Sequence, residues 1–351
     1  MLLAPMNIIL KKHIEHLISM KAPLSRRFFA AALADDPVQL SDALSMGADP
    51  SQRLSNGWTA LMVGCASGSD ACVHILGSQP SAMDLDQYGN AALHHAAMHG
   101  SLGCIKALSL LPESGAMRQL RNARGRSPLM CAAAQGLDAA LDALFHSSDA
   151  AALDLDGNGL LHLGALSGSA PCCSRLLALC NPLELNANGE TPLHLAAAGA
   201  FSASIRALVG FGGAGVKNAH GMTPLEMLPQ GFGAIDAPFS AGPAPRQSVE
   251  ASELECCRLL WDAMSKAARR PAGHAAFLLA CERGRARLAS MLLDFLLADG
   301  ACAGELAKSA TLFDFTPTRE ISSRAESLAE AQSLGLAAGA GACREAATLR
   351  I

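Results

Sequence analysis

Three groups of residues have types and spacings that could do chemistry. His95 and His99 lie four residues apart, which would place two imidazoles on one helical face, where they could share a metal ion. Gly210–Gly215 reads G-x-G-x-x-G, a pattern found in loops that bind phosphate through backbone amides. His13 and His16 lack the H-E-x-x-H order that a zinc protease requires. Each group therefore needs its structural context before it indicates a function.

That context favours structural roles for all three groups. No acid or cysteine ligand accompanies the His95 and His99 pair, and the G-x-G-x-x-G segment follows a predicted helix rather than a strand. No G-x-S-x-G nucleophile motif occurs, and no cysteine and histidine pair has a recognisable catalytic context. We therefore expect a protein that is not an enzyme, with no catalytic residue, no cofactor and no metal site.

Cysteine usage points to an intracellular protein. The 12 cysteines among 351 residues are about 3%, well below the ~8–10% of small secreted disulfide scaffolds. Six of them lie in apolar helical patterns, where a reduced cysteine behaves as a small hydrophobe. These are Cys65, Cys72, Cys104, Cys131, Cys180 and Cys281. We predict reduced core thiols and a cytoplasmic location, with an N-terminal transit peptide as the less favoured alternative because residues 1–34 hold a single acid, Glu15.

Composition excludes several classes of partner. The net charge of −4 argues against nucleic-acid binding through a basic field. The longest apolar run, Leu288–Leu297, is interrupted by Asp294, so no membrane span is expected. Aromatic residues make up only 4% of the chain, which favours a core of thin, closely packed helices rich in Ala and Leu.

A pentapeptide of the form G-x-(T/S/A)-(P/A)-L recurs along the chain and indicates an internal repeat. Its anchor glycines are separated by 32, 36, 32, 32 and 32 residues, the fourth copy being weaker. An Asp or Asn stands three residues before each anchor except the first, where Leu54 takes its place. The anchors are Gly57, Gly89, Gly125, Gly157, Gly189 and Gly221.

The best copy, Thr191-Pro-Leu-His-Leu-Ala-Ala197, resembles the T-P-L-H-x-A signature of the ankyrin-repeat family, whose period is ~33 residues. The resemblance implies an all-α solenoid of stacked helix–turn–helix repeats with short β-hairpin connections. It also implies that His94 holds nearby backbone, as the structural histidine of this family does.

The register predicts three segments. Residues 1–25 are expected to form an N-terminal capping helix, although the amphipathic stretch Ile8–Met20 could instead meet a partner or a membrane surface. Residues 26–300 are expected to form about eight repeats, with a flexible insertion at 229–250 and a degenerate last unit in which Gly273 takes the anchor position. Residues 301–351 are predicted to be a helical cap or tail.

In this architecture the hairpin tips and the ends of the first helices line a concave binding face. Trp58 and Tyr88 fall at tips, and Trp, Tyr and Arg are enriched at interface hot spots. The alternative is that both aromatics only pack on the neighbouring hairpin. The predicted partner-binding residues are Trp58, Tyr88, Asn90, Met98, His99, Arg124, Arg126, Gln135, Asn158, Asn188 and Glu190.

The sequence thus predicts a non-catalytic scaffold or adaptor that binds a protein partner. Two alternatives stay open at this point. The chain could be a targeting or regulatory subunit that recruits machinery through 229–250 or 301–351. It could also be an enzyme whose activity lies in the C-terminal part, although about 50 residues are few for an independent core.

Overall fold

The computed structural model describes residues 23–145, 151–229, 246–310 and 323–327. Helices occur as consecutive antiparallel pairs, with one additional short helix after the third pair and one after the eighth. In chain order they are α1 (Pro23–Ala34), α2 (Pro37–Ser45), α3 (Ala60–Ser67), α4 (Asp70–Leu76), α5 (Ala92–His99), α6 (Leu102–Ser109), α7 (Ser114–Gln119), α8 (Pro128–Gln135), α9 (Asp138–Leu144), α10 (Leu160–Leu166), α11 (Ala170–Leu177), α12 (Pro192–Ala198), α13 (Ser202–Leu208), α14 (Pro224–Met227), α15 (Arg246–Ala263), α16 (Lys266–Glu282), α17 (Ala286–Ala298) and α18 (Ala303–Ala310).

The pairs form two compact units, the first ending at Asn181 and the second beginning at Pro182. In the first unit the first helices α3, α5, α8 and α10 pack in one row, and the second helices α4, α6, α9 and α11 pack in another. In the second unit α12, α14 and α16 form one row, and α13, α15 and α17 the other. Each unit is therefore an all-α repeat stack, as the sequence predicts.

The first helices are short because their sequences carry a start and a stop signal. Ser127 accepts a hydrogen bond from the backbone amide of Met130, and Pro128 occupies the first helical position, where a missing N–H is harmless. Eight residues later Gly136 ends α8 in the left-handed conformation. The apolar residues between them are buried and fill the space between neighbouring pairs.

The connections between pairs are tight turns. The resemblance predicts short β-hairpins, but no β-strand occurs in the part of the chain that the structure describes. In the second turn the Asp86 amide donates to the Asn90 carbonyl at 2.9 Å, and the Gly89 amide donates to the Asp86 carbonyl at 3.0 Å. One such bond pair closes each turn without a ladder long enough to count as a strand. We refer to these turns as hairpins.

Two irregularities in the register have structural causes. The 36-residue step between Gly89 and Gly125 contains the additional helix α7, whose Met117 is fully buried. The predicted insertion 229–250 is shorter than expected, because α15 already begins at Arg246; most of the rest lies outside the described residues. Helix α15 contains Cys256 and Cys257 and supplies the second helix of that pair.

The eighth pair differs from the sequence expectation at its start. Gly273 was expected at a turn, but it lies inside α16, and no hairpin precedes this pair. Trp261 of the preceding helix packs over it, so that a Cβ atom at Gly273 would lie 2.5 Å from the indole. Gly284, by contrast, lies in the turn between α16 and α17 with a positive φ of +66°.

The ends of the chain are described only in part. Residues 1–22, which include the predicted capping segment Ile8–Met20, lie outside the described residues, and α1 begins at Pro23, inside the segment predicted as that cap. Helix α18 packs on α16. Within the short helical segment 323–327, Arg324 donates to Ser290 Oγ at 2.6 Å and to Asp294 Oδ1 at 2.8 Å. These parts of 301–351 are helical, as predicted.

The described cysteines are all free thiols, and most belong to the core, as predicted. Cys180 is half-buried and Cys302 is exposed, while the other nine are buried. Burial raises the pKa of the Cys131 thiol to about 12, so this side chain is neutral and unreactive at ordinary pH.

Candidate partner-binding surface

Five of the six hairpins are organised by the Asp or Asn that stands three residues before the anchor glycine; the first hairpin has Leu54 at this position. Asp86 Oδ1 accepts hydrogen bonds from the Tyr88 and Asn90 amides, both at 2.8 Å. Asn122 makes the same two bonds to the amides of Arg124 and Arg126 at 3.0 Å. The pattern is repeated at Asp154, Asn186 and Asn218. One oxygen in each copy thus fixes the backbone of a hairpin tip.

In three hairpins the other polar atom of this Asp or Asn side chain contacts the residue nine positions later, which lies in the first helix of the pair. Asp86 meets His95, Asn122 Nδ2 donates to Cys131 Sγ at 3.8 Å, and Asn218 Nδ2 donates to Met227 Sδ at the same distance. In the first hairpin both positions are apolar and buried, namely Leu54 and Val63.

In two hairpins the position nine residues later is leucine, and the polar atom is satisfied elsewhere. Asn186 Nδ2 donates to Glu190 Oε2 at 3.0 Å, and Asp154 Oδ2 accepts from Arg126 Nε at 3.0 Å. Leu195 and Leu163 therefore lie among apolar neighbours without leaving a hydrogen-bonding group unpaired.

Trp58 lies half-buried at the first hairpin tip. Its ring centroid is 4.2 Å from that of His95 on α5, with the two planes inclined at 55°. His95 is 2% exposed, and its Nε2 lies 3.0 Å from Asp86 Oδ2. Trp58 therefore packs on the next repeat, as the structural alternative requires, and it also keeps part of its ring at the surface.

Tyr88 is 55% exposed at the second hairpin tip, although its backbone is fixed on both sides. Its amide donates to Asp86, and its carbonyl accepts from the Ala123 amide of the third hairpin at 2.9 Å. The Arg124 carbonyl likewise accepts from the Leu155 amide of the fourth hairpin at 3.0 Å. Neighbouring tips are therefore joined through backbone, and the Tyr88 phenol projects from a rigid base.

Four predicted partner-binding residues have structural roles that leave little surface. Asn90, Asn158 and Glu190 are 5–7% exposed, because they close the turns described above. The Arg126 side chain is 15% exposed and paired with Asp154, whose side chain is fully buried. These four side chains therefore do not belong to the exposed part of the predicted partner-binding surface.

The remaining predicted residues have accessible side chains. Met98, His99, Arg124 and Gln135 are half-buried on hairpin tips or at the ends of first helices in the first unit. Asn188 is exposed on a hairpin tip of the second unit.

One residue of this surface was missed by the sequence reading. Leu155 is 74% exposed and lies over Gly125 of the preceding hairpin. It precedes the tip position by one residue, a place held by Gln87 and Ala123 in the two hairpins before it. An apolar residue at this otherwise small or polar position was the signal available in the sequence. We use the name tip surface for Trp58, Tyr88, Met98, His99, Arg124, Gln135 and Leu155.

The histidine beside His95 on the same helix has the structural role that the resemblance implies. His94 Nδ1 accepts from the Ala91 amide at 3.2 Å, and its Nε2 lies 3.0 Å from the Arg126 carbonyl of the next hairpin. Nε2 is therefore the protonated nitrogen that donates to this carbonyl. Burial lowers the pKa of His94 to about 4, so the ring is neutral near pH 7.

The other sequence motifs do not assemble into a site in the described residues. No group of three or more His, Cys, Asp and Glu residues there could hold a metal ion. The G-x-G-x-x-G segment begins inside a short 3-10 helix, Val209–Phe211, which follows α13, so the strand that a phosphate loop requires is lacking at that place. No helix of the described part is long and apolar enough to cross a membrane.

A family model of ankyrin repeats, in three copies, matches residues 28–117. These residues, which lie in the first unit, carry ankyrin repeats. Proteins use ankyrin repeats mainly as modules for protein–protein interaction, and the family is typically non-enzymatic. The ankyrin fold accounts for the paired helices and tight hairpins within residues 28–117. No curated protein is significantly similar to the chain.

Two solved ankyrin repeat domains illustrate the structural similarity. That of Bcl-3, described as a unique member of the IkappaB protein family, is 24% identical, with a TM-score of 0.47, over 57% of this chain and 92% of the other. That of human ASB11 is 22% identical, with a TM-score of 0.49, over 64% of this chain and 100% of the other.

Proposed function

We propose that the protein is a non-catalytic scaffold or adaptor that binds a partner protein on the tip surface of its first unit. The observation that supports this most directly is the placement of the rare aromatic residues. The chain has two Trp and one Tyr. Trp261 is buried at 4% exposure, whereas Trp58 is half-buried and Tyr88 is 55% exposed on consecutive hairpins. Such residues are the usual anchors of protein interfaces.

The rigidity of the hairpins supports the same proposal. Backbone hydrogen bonds between tips, and two amide bonds to each organising Asp or Asn, order this surface before any partner arrives. A surface that is already ordered loses less conformational entropy on association, so more of the contact energy appears as affinity. The free, mostly buried thiols are in keeping with the reducing conditions of the cytoplasm, where we place the protein.

A photo-crosslinking experiment tests the proposal in cells. A photoreactive phenylalanine analogue replaces Tyr88 in the full chain, and in a matched control it replaces Leu110, which is 79% exposed at the end of the second helix α6. The expected result is a partner joined to position 88 and not to position 110. Equal labelling at both positions would contradict a partner site at the tips.

Calorimetry with the identified partner then measures the contribution of the surface. The triple variant Trp58→Ala, Tyr88→Ala, Arg124→Ala is expected to lower affinity at least tenfold, which corresponds to about 1.4 kcal/mol. Tyr88→Ala alone is the variant least able to disturb folding, because its side chain is exposed, and we expect it to account for much of the loss. Unchanged affinity in both variants would exclude this surface.

A further inference from the structure

The second hairpin contains a buried hydrogen bond between a carboxylate and an imidazole that its sister hairpins lack. Asp86 and His95 occupy the two positions, nine residues apart, that are also in contact in the third and sixth hairpins. The residues that correspond to His95 in the other copies are Val63, Cys131, Leu163, Leu195 and Met227. All are buried and none carries a charge, so only this copy combines a carboxylate with an imidazole.

This arrangement is unfavourable for the fold alone. The Asp86 side chain is fully buried and that of His95 is 2% exposed. Because a carboxylate only accepts hydrogen bonds, His95 Nε2 carries the proton that lies between them. The other ring nitrogen, Nδ1, is buried and has no hydrogen-bond partner among the described residues. A leucine, as at Leu163 or Leu195, would leave no ring nitrogen unpaired, so stability does not explain the histidine.

The pair connects the two aromatic residues of the tip surface. On one side the His95 ring contacts the Trp58 indole, with 4.2 Å between their centroids. On the other side Asp86 Oδ1 holds the Tyr88 amide at 2.8 Å, while Oδ2 bonds His95 at 3.0 Å. Trp58 belongs to the first hairpin and Tyr88 to the second. A single hydrogen-bonded pair therefore contacts the Trp58 indole and holds the Tyr88 backbone.

We propose that Asp86 and His95 are positioning residues of the partner-binding surface, which hold the Trp58 indole in one orientation relative to Tyr88. This inference rests on the proposed function. The imidazole ring contacts the indole, with the two planes inclined at 55°, and is itself held by the carboxylate. Replacing it by a branched aliphatic side chain keeps the volume apolar but removes this contact between two rings. The indole then samples several orientations, and a partner must select one of them.

The test exchanges the pair for the one found in the fifth hairpin. Variant D86N/H95L introduces the Asn and Leu combination of Asn186 and Leu195. The Asn side chain keeps an oxygen for the hairpin amides, as Asn122 and Asn218 do. Two-dimensional NMR of the ¹⁵N-labelled full chain then gives two indole N–H signals, which Trp58→Phe assigns. Trp261, in the second unit, is an internal reference.

We expect the Trp58 signal to shift and broaden in the double variant, while the Trp261 signal and the thermal midpoint stay in place. The single variant D86N keeps the imidazole face and is expected to change the Trp58 signal less. An unchanged Trp58 signal in D86N/H95L would overturn the positioning role, whether or not a partner is known. If the double variant loses the fold, His95→Phe provides the second test, because it retains an aromatic ring without the bond to Asp86. A Trp58 signal as sharp in this variant as in the parent protein would show that the hydrogen-bonded pair is not needed.

Partner binding separates this inference from the proposed function. With the partner identified by crosslinking, D86N/H95L is expected to bind about tenfold more weakly while Tyr88 stays available. If Tyr88→Ala weakens binding but D86N/H95L does not, the surface is correct and the positioning role is wrong. If neither variant alters binding, the proposed surface itself fails, and the NMR result still decides whether the pair orders Trp58.

Discussion

Gly221 and Gly273 occupy equivalent places in the repeat register, yet the fold uses them in opposite ways. Gly221 lies in a hairpin with φ of +76°, and a Cβ atom there would have no neighbour within 4 Å. Gly273 lies inside α16, where its missing side chain makes room for Trp261. The first glycine supplies a backbone conformation and the second supplies space. The comparison teaches that regular spacing identifies a repeat without fixing what its glycine does.

The largest expected effect is the pH dependence that the buried His94 gives to the stability of the fold. The eighth pair, which has no hairpin, carries Leu278 at the equivalent position. Because burial lowers the folded-state pKa of His94 from 6.5 to about 4, protonation favours the unfolded chain. The stabilisation is complete above pH 6.5 and is lost as pH falls to 4, by up to about 3 kcal/mol. Urea unfolding between pH 7 and 4 measures this. His94→Met, which copies Met62 and Met130, should flatten the curve, and an equal slope would contradict the assignment.

Filling the space at Gly273 is expected to have the next largest effect. The Cβ atom of Gly273→Ala would lie 2.5 Å from the Trp261 ring and 3.1 Å from Leu296 Cδ2. Overpacking of this kind costs about 2 to 3 kcal/mol. Thermal unfolding followed by Trp261 fluorescence measures the loss. Gly115→Ala, in α7 with open space around its Cβ, is the matched control and should be neutral or stabilising.

The Asn218 side chain organises the sixth hairpin, which contains Gly221. Its removal therefore tests the hairpin side of the comparison with Gly273. Asn218→Ala deletes the acceptor of the His220 and Met222 amides, each bonded at 3.0 Å. We expect a loss of about 2 kcal/mol, since two partly buried hydrogen bonds of about 1 kcal/mol each are removed. Hydrogen exchange should show faster exchange at these two amides. Unchanged protection there would mean that the turn does not depend on Asn218.

The smallest expected effect is at Gly221 itself. Gly221→Ala meets no steric obstacle, so its cost of about 1 kcal/mol comes from the left-handed backbone alone. Gly221→Asn should cost less, because Asn tolerates this conformation. Chemical denaturation compares the two variants. If Asn is as destabilising as Ala, the glycine is needed for a reason other than φ, and the contrast with Gly273 weakens.

The repeats were predictable because type and spacing agree over many copies, so that α3 to α6 and α8 to α14 could be placed from the anchor glycines, whereas the additional helix α7 could not. The eighth pair was predicted as a unit, but the role of Gly273 was not, because only packing shows that a tryptophan needs its space. The exposed positions of the tip surface were partly predictable. The sequence overestimates the exposure of four side chains, because the register places them at tips without showing that turn bonds and Asp154 bury them. These are Asn90, Asn158, Arg126 and Glu190.

The facing positions nine residues apart have a consequence for how such a chain can be recombined. The two facing residues of a copy, such as Asp86 and His95, are only nine positions apart, but they lie on opposite sides of the anchor glycine. A crossover placed at the glycine would join the loop of one copy to the helix of another, for example Asn186 to His95. A crossover placed after a second helix would transfer both members together. Module exchange in this protein should therefore succeed at the second-helix boundary and fail at the hairpin, even though the glycine is the more conspicuous landmark.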